Sequence, residues 1–441
     1  MKPLDASAIR GILVRGTNWV GDAVMSVPAL RLVRARFPSA RITLLVRPWV
    51  KDVYSAVDFI DELVVYDRGA SHRGPAGFLR LAGELRRRRF DLALLLQNAF
   101  EAALLAWCAR IPLRLGYARD ARSWLLTHPC RIDPPVRAAH QVYYYLGILS
   151  AAGLAPPRLW EDKDYRPSIR IGVSDADLQS ARRLLAGSGI ADGDTLIGLN
   201  PGASYGPAKR WLPDRYAALA DRIAERYRAR IVLFGAAAER EIAGEVARKM
   251  RRPAVVLAGR TRLGELMGLI AQCRLLVTND SGPMHLAAAL GVPQVAIFGS
   301  SSEVATGPLG PDARIVKHPV GCSPCFLRRC PIDFRCMTRG FSAGGPDGVD
   351  SRELPGRERR SGGGVQDRRR PGLGTRQPDA SPRTSGSRAP APAGDISWNA
   401  PRIVSPTRPA CDRSHKKTTF LPAPPRNRIG PARLRAAAEL C

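Results

Sequence analysis

Three short segments of the chain combine glycine with residues that bind anions or move protons. The first, residues 15–22, comes directly after an apolar run and directly before a segment with helical periodicity. Gly16 and Gly21 permit a tight turn, and the carboxylate of Asp22 would point beyond the end of the strand. Two roles stay open for Asp22: the N-cap of the next helix, or a base that faces a ligand. Position alone favours the cap.

The second segment, residues 200–211, reads NPGASYGPAKRW and follows another apolar run. Its glycines, the Ser204 hydroxyl and the cations Lys209 and Arg210 suit a phosphate or a diphosphate, since Arg offers a bidentate fork and Lys a compact charge. The spacing of a Walker loop is absent, so the sequence does not indicate ATP hydrolysis. A solvated basic loop is the alternative, although Trp211 indicates a packed one.

The third segment, residues 277–285, reads VTNDSGPMH. Backbone amides at Ser281 and Gly282 would face outward at a helix N-terminus, where the helix dipole favours a diphosphate. Asp280 could serve only as a cap, and His285 could be an ordinary core histidine. The segment therefore predicts an anion site at a second strand end.

A fourth segment, residues 234–241, carries Glu239 and Glu241. Their carboxylates could accept hydrogen bonds from the hydroxyls of a ribose. Acidic residues are favoured in any first helical turn, so this segment alone is a weak signal.

Short apolar runs alternate with helix-period segments along the chain, which predicts buried parallel strands linked by helices. The predicted strands are Ile12–Val14, Ile42–Val46, Leu63–Tyr66, Leu92–Leu96, Leu196–Leu199, Ile231–Phe234, Val255–Leu257, Leu275–Val277 and Val295–Phe298. The predicted helices are Ala23–Arg36, Pro75–Arg89, Pro213–Arg228, Glu239–Lys249, Leu263–Gln272 and Pro283–Leu290. A Pro-rich stretch, residues 156–167, separates the two series. This pattern predicts two doubly wound α/β sheets. We expect the site in the cleft between them, beyond the carboxyl ends of the strands.

The chain of 441 residues has 68 Lys and Arg against 39 Asp and Glu, a formal net charge of +29. Residues 341–441 hold 14 Pro and 12 Gly but only 13 Leu, Ile, Val or Phe, which predicts a disordered tail. Residues 1–340 keep 49 basic and 30 acidic residues. A basic nucleic-acid-binding protein is one alternative, suggested also by the run Arg86–Arg89. That run ends a predicted helix and no nucleic-acid module accompanies it, so we expect no nucleic-acid partner.

Four of the nine cysteines fall within fifteen residues, at Cys322, Cys325, Cys330 and Cys336. Four thiolates could bind a structural zinc ion, although the last spacing is unusual for zinc ribbons. The N-terminus lacks the features of a signal peptide, so we expect a cytoplasmic protein with mostly reduced thiols. Three D-x-D triplets begin at Asp162, Asp175 and Asp192; none follows a predicted strand, and we interpret all three as solvated charge.

Taken together, the four segments resemble the lipopolysaccharide heptosyltransferases of glycosyltransferase family 9, and among these the enzymes that add the second core heptose. The resemblance spans about the first 338 residues. It rests on Trp19–Asp22 with Met25–Ser26, on Pro201–Ala203 with Gly206–Trp211, and on Thr278–Gly282 with Met284–His285. It implies a GT-B fold, ADP-L-glycero-D-manno-heptose as donor and the heptosyl-Kdo-lipid A inner core as acceptor. First-heptose transfer, another glycan or a protein acceptor are alternatives.

The resemblance also assigns roles to residues. It favours Asp22 as the general base of an inverting transfer, and it places Lys209 and Arg210 beside the donor diphosphate. Asp280 is expected on the heptose side, and Glu239, with Glu241 as substitute, at the ribose. The implied donor-binding set is Gly202, Ser204, Lys209, Arg210, Glu239, Asp280, Ser281, Gly282 and His285, and the implied acceptor-binding set is Asn18, Trp19 and Gly21. No metal is required by this scheme.

The expected organisation has three parts: an acceptor-binding domain at 1–165, an ADP-heptose-binding domain at 166–338 and a disordered tail at 339–441. Family members continue with an apolar helix after Met337, whereas this chain turns to Gly, Pro, Arg and Ser. A shifted reading frame or a nonhomologous extension is our hypothesis for that departure. The acceptor and the positive charge together predict peripheral contact with the anionic cytoplasmic face of the inner membrane.

Overall fold

Each half of the chain forms a parallel sheet of six strands, in a computed structural model that describes residues 4–338. The first sheet comprises β1 (Gly11–Arg15), β2 (Arg41–Val46), β3 (Glu62–Val65), β4 (Leu92–Leu95), β5 (Leu113–Tyr117) and β6 (His128–Cys130). The second comprises β7 (Leu196–Asn200), β8 (Arg230–Leu233), β9 (Ala254–Val256), β10 (Leu275–Asn279), β11 (Gln294–Phe298) and β12 (Ala313–Lys317). The predicted tail, 339–441, lies outside the described residues.

Helices connect the strands in both halves. In the first half they are α1 (Val20–Met25), α2 (Val27–Arg36), α3 (Gly74–Arg87), α4 (Phe100–Cys108), α5 (Pro134–Ala138) and α6 (Gln141–Ala151). From residue 166 onward they are α7 (Asp175–Ala186), α8 (Pro213–Tyr227), α9 (Arg240–Lys249), α10 (Leu263–Gln272), α11 (Gly282–Leu290), α12 (Glu303–Thr306) and α13 (Arg335–Thr338).

The strand order is the same in the two sheets: β3-β2-β1-β4-β5-β6 in the first and β9-β8-β7-β10-β11-β12 in the second. Successive residues of β1 are buried in different core clusters, Ile12 and Val14 in one and Leu13 in another, so both faces of the sheet are covered. This is the doubly wound arrangement that the alternating pattern predicted. The order reverses between β1 and β4 and between β7 and β10, where crevices for ligands form.

Every predicted strand and helix is present, with bounds shifted by a few residues. One predicted helix, Ala23–Arg36, is instead two, because the chain leaves α1 at Ser26 and restarts with Pro28 in the first turn of α2. Proline lacks the amide that a continuous helix would need there. Residues 156–167, predicted as a connection, contain neither helix nor strand. The proposed division at residue 165 stays a prediction.

The prediction of solvated charge for all three D-x-D triplets is wrong at Asp177. This carboxylate is buried at the start of α7, where it accepts a hydrogen bond from the Ser174 hydroxyl at 2.6 Å and lies 3.4 Å from the Arg262 guanidinium. The other two triplets are exposed, as predicted. Among the described residues, no helix is both long enough and apolar enough to cross a membrane.

Candidate active site

Asp22 lies in the first turn of α1, just beyond the carboxyl end of β1, and it does not cap the helix. Trp19 is the N-cap residue, and its side chain makes no capping hydrogen bond. The Asp22 carboxylate instead accepts a hydrogen bond at Oδ1 from the hydroxyl of Tyr145, 2.8 Å away on α6. One oxygen of the carboxylate is thus held by the protein.

The surroundings of Asp22 set its proton affinity. Burial raises the pKa of this carboxyl above its usual value, while the Tyr145 hydrogen bond and the positive charge of Lys209 lower it. Lys209 follows β7 in the other half of the chain, and its positive charge favours the ionised form of Asp22. A carboxylate that is partly desolvated is a stronger base than one in water.

Lys209 and Asp280 form an ion pair at the carboxyl edge of the second sheet. The Nζ to Oδ2 distance is 2.6 Å, the Asp280 side chain is 4% exposed and that of Lys209 is 16% exposed. The ammonium also lies 5.0 Å from the centre of the Tyr205 ring. The positive charge of Lys209 offsets the repulsion that the buried Asp280 carboxylate would otherwise exert on a nearby diphosphate.

Two asparagines tie the strand ends of the second sheet together. Asn279 Nδ2 donates to the Pro201 carbonyl at 2.8 Å, and its Oδ1 accepts from the backbone amide of Trp211 and the hydroxyl of Tyr216. Asn200 Nδ2 donates to the Ser281 hydroxyl at 3.1 Å. These bonds fix the loop that carries Lys209 relative to the start of α11.

The N-terminus of α11 packs directly against that of α1. A Cβ added at Gly282 would lie 3.2 Å from Val20, and one added at Gly21 would lie 2.8 Å from the His285 ring. The predicted amides of Ser281 and Gly282 therefore stand at the same cleft as Asp22. Burial lowers the pKa of His285 to about 4, so its imidazole is neutral at pH 7.

Glu239 is buried beside the loop after β7, which distinguishes it from an ordinary first-turn carboxylate. Its Oε2 accepts from the Ala236 amide at 2.8 Å, and its Oε1 lies 3.4 Å from the Ser204 hydroxyl. A Cβ at Gly202 would lie 2.3 Å from its carboxyl carbon, so a larger residue there would displace the Glu239 carboxylate. Glu241 is exposed on α9. The geometry favours Glu239 of the two.

The remaining predicted residues lie around the cleft with their own contacts. Arg210 donates to the Ala203 carbonyl at 3.4 Å, and its buried Nε has no partner among the described residues. Asn18 Oδ1 accepts from the Arg15 guanidinium at 3.1 Å. Trp19 is 61% exposed. The structure thus brings together the segments that carry Asp22, Lys209 and Asp280, and it leaves the Trp19 side chain exposed.

Comparison with known proteins relates this chain to heptosyltransferases. The family model "Glycosyltransferase family 9 (heptosyltransferase)" matches residues 78–334. The chain belongs to glycosyltransferase family 9. Lipopolysaccharide heptosyltransferase 2 of Salmonella typhimurium is 35% identical over 317 residues, which cover 69% of this chain and 87% of that protein. Its counterpart from Escherichia coli is 34% identical over the same shares.

Solved structures of family 9 members agree with the fold. The E. coli ADP-heptose lps heptosyltransferase II has a TM-score of 0.62 at 32% identity, covering 70% of this chain and 91% of that one. A family 9 transferase from Veillonella parvula has a TM-score of 0.63 at 28% identity, covering 70% and 85%. The GT-B arrangement expected from the resemblance is therefore confirmed.

Tyr145 is the site residue that sequence reasoning missed in this family 9 chain. It is the last of three consecutive tyrosines on α6, more than 120 positions from Asp22. The sequence signal is an unusual Tyr run in an apolar helix, which does not tell which of the three hydroxyls points into the cleft. Only the packing of α6 beside α1 selects Tyr145.

Replacing Tyr145 by Phe is expected to lower kcat about 10- to 100-fold, because Asp22 loses the group that orients it. The lost hydrogen bond also normally lowers the pKa of Asp22. A general base works only as the carboxylate, so in that role Asp22 is expected to lose activity as the pH falls through its pKa. The acid limb of the pH profile of kcat should therefore move to higher pH in Tyr145→Phe.

Tyr117→Phe is the matched control, since its buried hydroxyl donates to the Tyr144 carbonyl on the same helix and does not touch Asp22. Its acid limb should coincide with that of the wild type. An unshifted limb in Tyr145→Phe would show that Tyr145 does not act through Asp22.

The cysteine-rich segment packs on the loop that carries Lys209. The Ala208 amide donates to the Arg328 carbonyl at 3.1 Å, and the Tyr205 hydroxyl donates to the Phe326 carbonyl at 2.8 Å. The four predicted cysteines line one small cavity, and burial with the neighbouring thiols raises the pKa of the Cys336 thiol. Through these two hydrogen bonds, the cysteine-rich segment supports the loop that carries Lys209.

The structural zinc ion stays a prediction. Within residues 4–338, no three His, Cys, Asp or Glu side chains are grouped closely enough to hold a metal ion. If the thiols close around zinc, purified protein should contain about one equivalent, and a chelator should lower its melting temperature. A metal content under about a tenth of an equivalent would exclude the site.

Proposed function

We propose that this chain is an inverting heptosyltransferase that moves L-glycero-D-manno-heptose from ADP-heptose to the heptosyl-Kdo-lipid A inner core of lipopolysaccharide. The names of its relatives supply the donor and the product: lipopolysaccharide heptosyltransferase 2, and an ADP-heptose lps heptosyltransferase II among solved structures. The observation that carries the proposal is the packing of α1, which carries Asp22, against the start of α11, which follows Asp280 and its partner Lys209. Asp22 as a base and Lys209 as a cation suit a transfer in which an acceptor hydroxyl loses its proton and anionic ADP is released.

In this mechanism Asp22 removes the proton from the acceptor hydroxyl as that oxygen attacks the anomeric carbon. Tyr145 holds Oδ1 of Asp22, which leaves Oδ2 for the acceptor. Attack from the face opposite ADP inverts the configuration at the anomeric carbon, and the bond to the diphosphate breaks as the new glycosidic bond forms.

The second half binds the donor in this proposal. Lys209 and Arg210 offset the charge that develops on the leaving diphosphate, and the amides of Ser281 and Gly282 bind the phosphate oxygens at the start of α11. Asp280, held by Lys209, accepts hydroxyls of the heptose.

Three further donor contacts and the acceptor side complete the scheme. Glu239 accepts the ribose hydroxyls, and Ser204 and Gly202 lie beside it on the loop after β7. His285, neutral and buried, supports the α1 to α11 contact. Asn18, Trp19 and Gly21 border the acceptor. In this proposal no metal takes part, and the enzyme acts as a peripheral protein at the cytoplasmic face of the inner membrane.

The experiment is transfer of heptose from ADP-heptose to mono-heptosylated Kdo-lipid A, followed by mass spectrometry of the product. One added heptose with inverted anomeric configuration is the expected result. Parallel reactions contain Kdo-lipid A without heptose, or a protein acceptor. Transfer only to one of these would change the acceptor and keep the donor chemistry, whereas no release of ADP with any acceptor would refute the transferase.

A further inference from the structure

The cysteine-rich segment, residues 322–336, brings positive charge to the loop that carries Lys209. Together with that loop, residues 200–211, it contains five basic residues and one acidic residue. The single carboxylate belongs to Asp333, and its Oδ1 lies 2.8 Å from the Nε of Arg335. This carboxylate thus pairs within its own segment, and the proposed mechanism gives no role to the other two arginines there.

One of these arginines, Arg328, approaches the same aromatic ring as Lys209. The guanidinium carbon of Arg328 lies 5.3 Å from the centre of the Tyr205 ring, and the Lys209 ammonium lies 5.0 Å from it. The two cations are therefore separated by no more than the sum of these distances. Like charges so close repel each other, and a solvent-exposed ring attracts each cation only weakly. An anion that contacts both cations would remove the repulsion.

Carboxylates of the protein do not supply that anion. Asp280 is paired with Lys209 at 2.6 Å. Within residues 4–338, Arg328 forms no ion pair with an Asp or Glu side chain, and it is exposed. Arg210, next to Lys209, forms none in this range either, and its buried Nε has no partner there. The loop and the segment thus present two guanidinium groups that no acidic side chain neutralises.

Backbone contacts fix the position of Arg328. Its carbonyl accepts a hydrogen bond from the amide of Ala208 at 3.1 Å. A Cβ added at Gly206 would lie 2.4 Å from the same carbonyl oxygen, so glycine allows the two chain segments to approach this closely. Phe326 donates its amide to the carbonyl of Ser300, in the loop after β11, at 2.8 Å. The backbone around Arg328 is thus held against the loops that follow β7 and β11.

A diphosphate is the anion that fits this arrangement. It carries negative charge on two linked phosphoryl groups, so one group can contact Lys209 while the other contacts a second cation. Arginine offers a planar fork that binds phosphate oxygens in a bidentate manner, and lysine offers a compact point charge. A carboxylate has a single charged group and would leave one of the two cations without a partner.

We propose that Arg328 binds the diphosphate of the donor together with Lys209, so that the cysteine-rich segment forms part of the donor site. The inference rests on the proposed function, which supplies a nucleoside diphosphate as the leaving group. Arg328 donates charge-assisted hydrogen bonds to the phosphate oxygens, and it stabilises the negative charge that grows on ADP as the bond to the heptose breaks. Lys209, which also pairs with Asp280, therefore does not carry this charge alone.

Titration calorimetry of ADP into the full chain tests this assignment without an acceptor. Arg328→Met should weaken ADP binding about tenfold or more, the usual effect of losing a hydrogen bond between charged groups. Its affinity for adenosine, which carries no phosphate, should stay at the wild-type value when measured by ligand-observed NMR. Arg328→Lys keeps the charge and should recover part of the lost ADP affinity. Because the side chain is exposed, the variants should melt at the wild-type temperature.

Arg329→Met is the matched control, because Arg329 is the exposed neighbour and only Arg328 of the two contacts the Tyr205 ring. It should bind ADP like the wild type. Unchanged ADP affinity in Arg328→Met would overturn the inference. So would an equal loss of affinity for ADP and adenosine, which would indicate a purely structural role, or an equal loss in Arg329→Met, which would indicate a diffuse effect of charge.

The same titrations separate this inference from the proposed function. Wild type that binds ADP but transfers no heptose to any acceptor would refute the transferase alone, if Arg328→Met weakens ADP binding. An active wild type whose Arg328→Met variant keeps its ADP affinity and its KM for ADP-heptose would refute the inference alone. A wild type that does not bind ADP would refute both.

Discussion

Asp22→Asn is expected to lower kcat by about 10²- to 10⁴-fold, the usual contribution of a general base. Asparagine keeps the shape of the side chain and can still accept the Tyr145 hydrogen bond through its oxygen. It cannot take a proton from the acceptor hydroxyl. The loss should therefore appear in kcat, with KM for ADP-heptose little changed, because the donor contacts of the second half remain.

Steady-state release of ADP measures this loss, and thermal unfolding checks the fold. Asp58→Asn is the matched control, because Asp58 is an exposed carboxylate of the same half whose ion pair with Arg31 spans 3.9 Å. Its kcat should equal that of the wild type. Turnover by Asp22→Asn within about threefold of wild type would remove Asp22 as the base.

The pH dependence of the wild-type enzyme follows from the same carboxylate. Burial is the largest influence on Asp22 and raises its pKa above the usual value for aspartate. The base is active when deprotonated, so activity should fall as the pH drops through this raised pKa. We expect the acid limb of the kcat profile to vanish in Asp22→Asn, leaving a flat residual rate.

The sequence predicted the fold well wherever strands are buried on both faces. The runs at β1, β2, β4, β7, β10 and β11 are mainly apolar, with few polar residues away from the strand ends, as is typical of parallel strands buried on both faces. The strands that it missed are marginal ones. β5 contains Arg114, β6 contains Pro129, and β12 is an edge strand with an exposed Ile315. Their place in the sheet comes from hydrogen bonds to neighbours, which a local pattern does not encode.

The sequence predicted which segments form the candidate site, but it did not predict all the contacts between their side chains. Glycines next to predicted strand ends pointed to Asp22, Lys209 and Asp280. Glycine is favoured where a backbone closely approaches a ligand, and helix N-termini that follow strands bind anions. The Tyr145 hydrogen bond joins residues far apart in the chain and leaves no spacing to detect. Asp177 shows the opposite error: its triplet looked like solvent-exposed charge, yet Ser174 and Arg262 satisfy it inside the protein.

Lys209→Met is expected to lower kcat by about 10²- to 10³-fold, the cost of removing one group that stabilises developing negative charge. Methionine keeps an apolar stem of similar length and removes the ammonium. The substitution also removes the ammonium that lies 2.6 Å from the Asp280 carboxylate, which stays buried without its ion-pair partner. Removing one partner of a buried ion pair lowers the free energy of unfolding by roughly 3–5 kcal/mol. The variant should therefore melt at a lower temperature, and a loss of activity alone would not separate chemistry from stability.

The double variant Lys209→Met/Asp280→Asn separates the two effects. With both charges removed, no carboxylate is left buried and unpaired, so the melting temperature should recover most of what the single variant lost. Turnover should not recover, because the diphosphate still lacks its cation. Lys249→Met breaks an ion pair of the same 2.6 Å length with Asp214, on the surface of the same half; it should leave both quantities unchanged. If the double variant regained wild-type turnover, Lys209 would serve only to neutralise Asp280, and Arg210 would have to stabilise the leaving group.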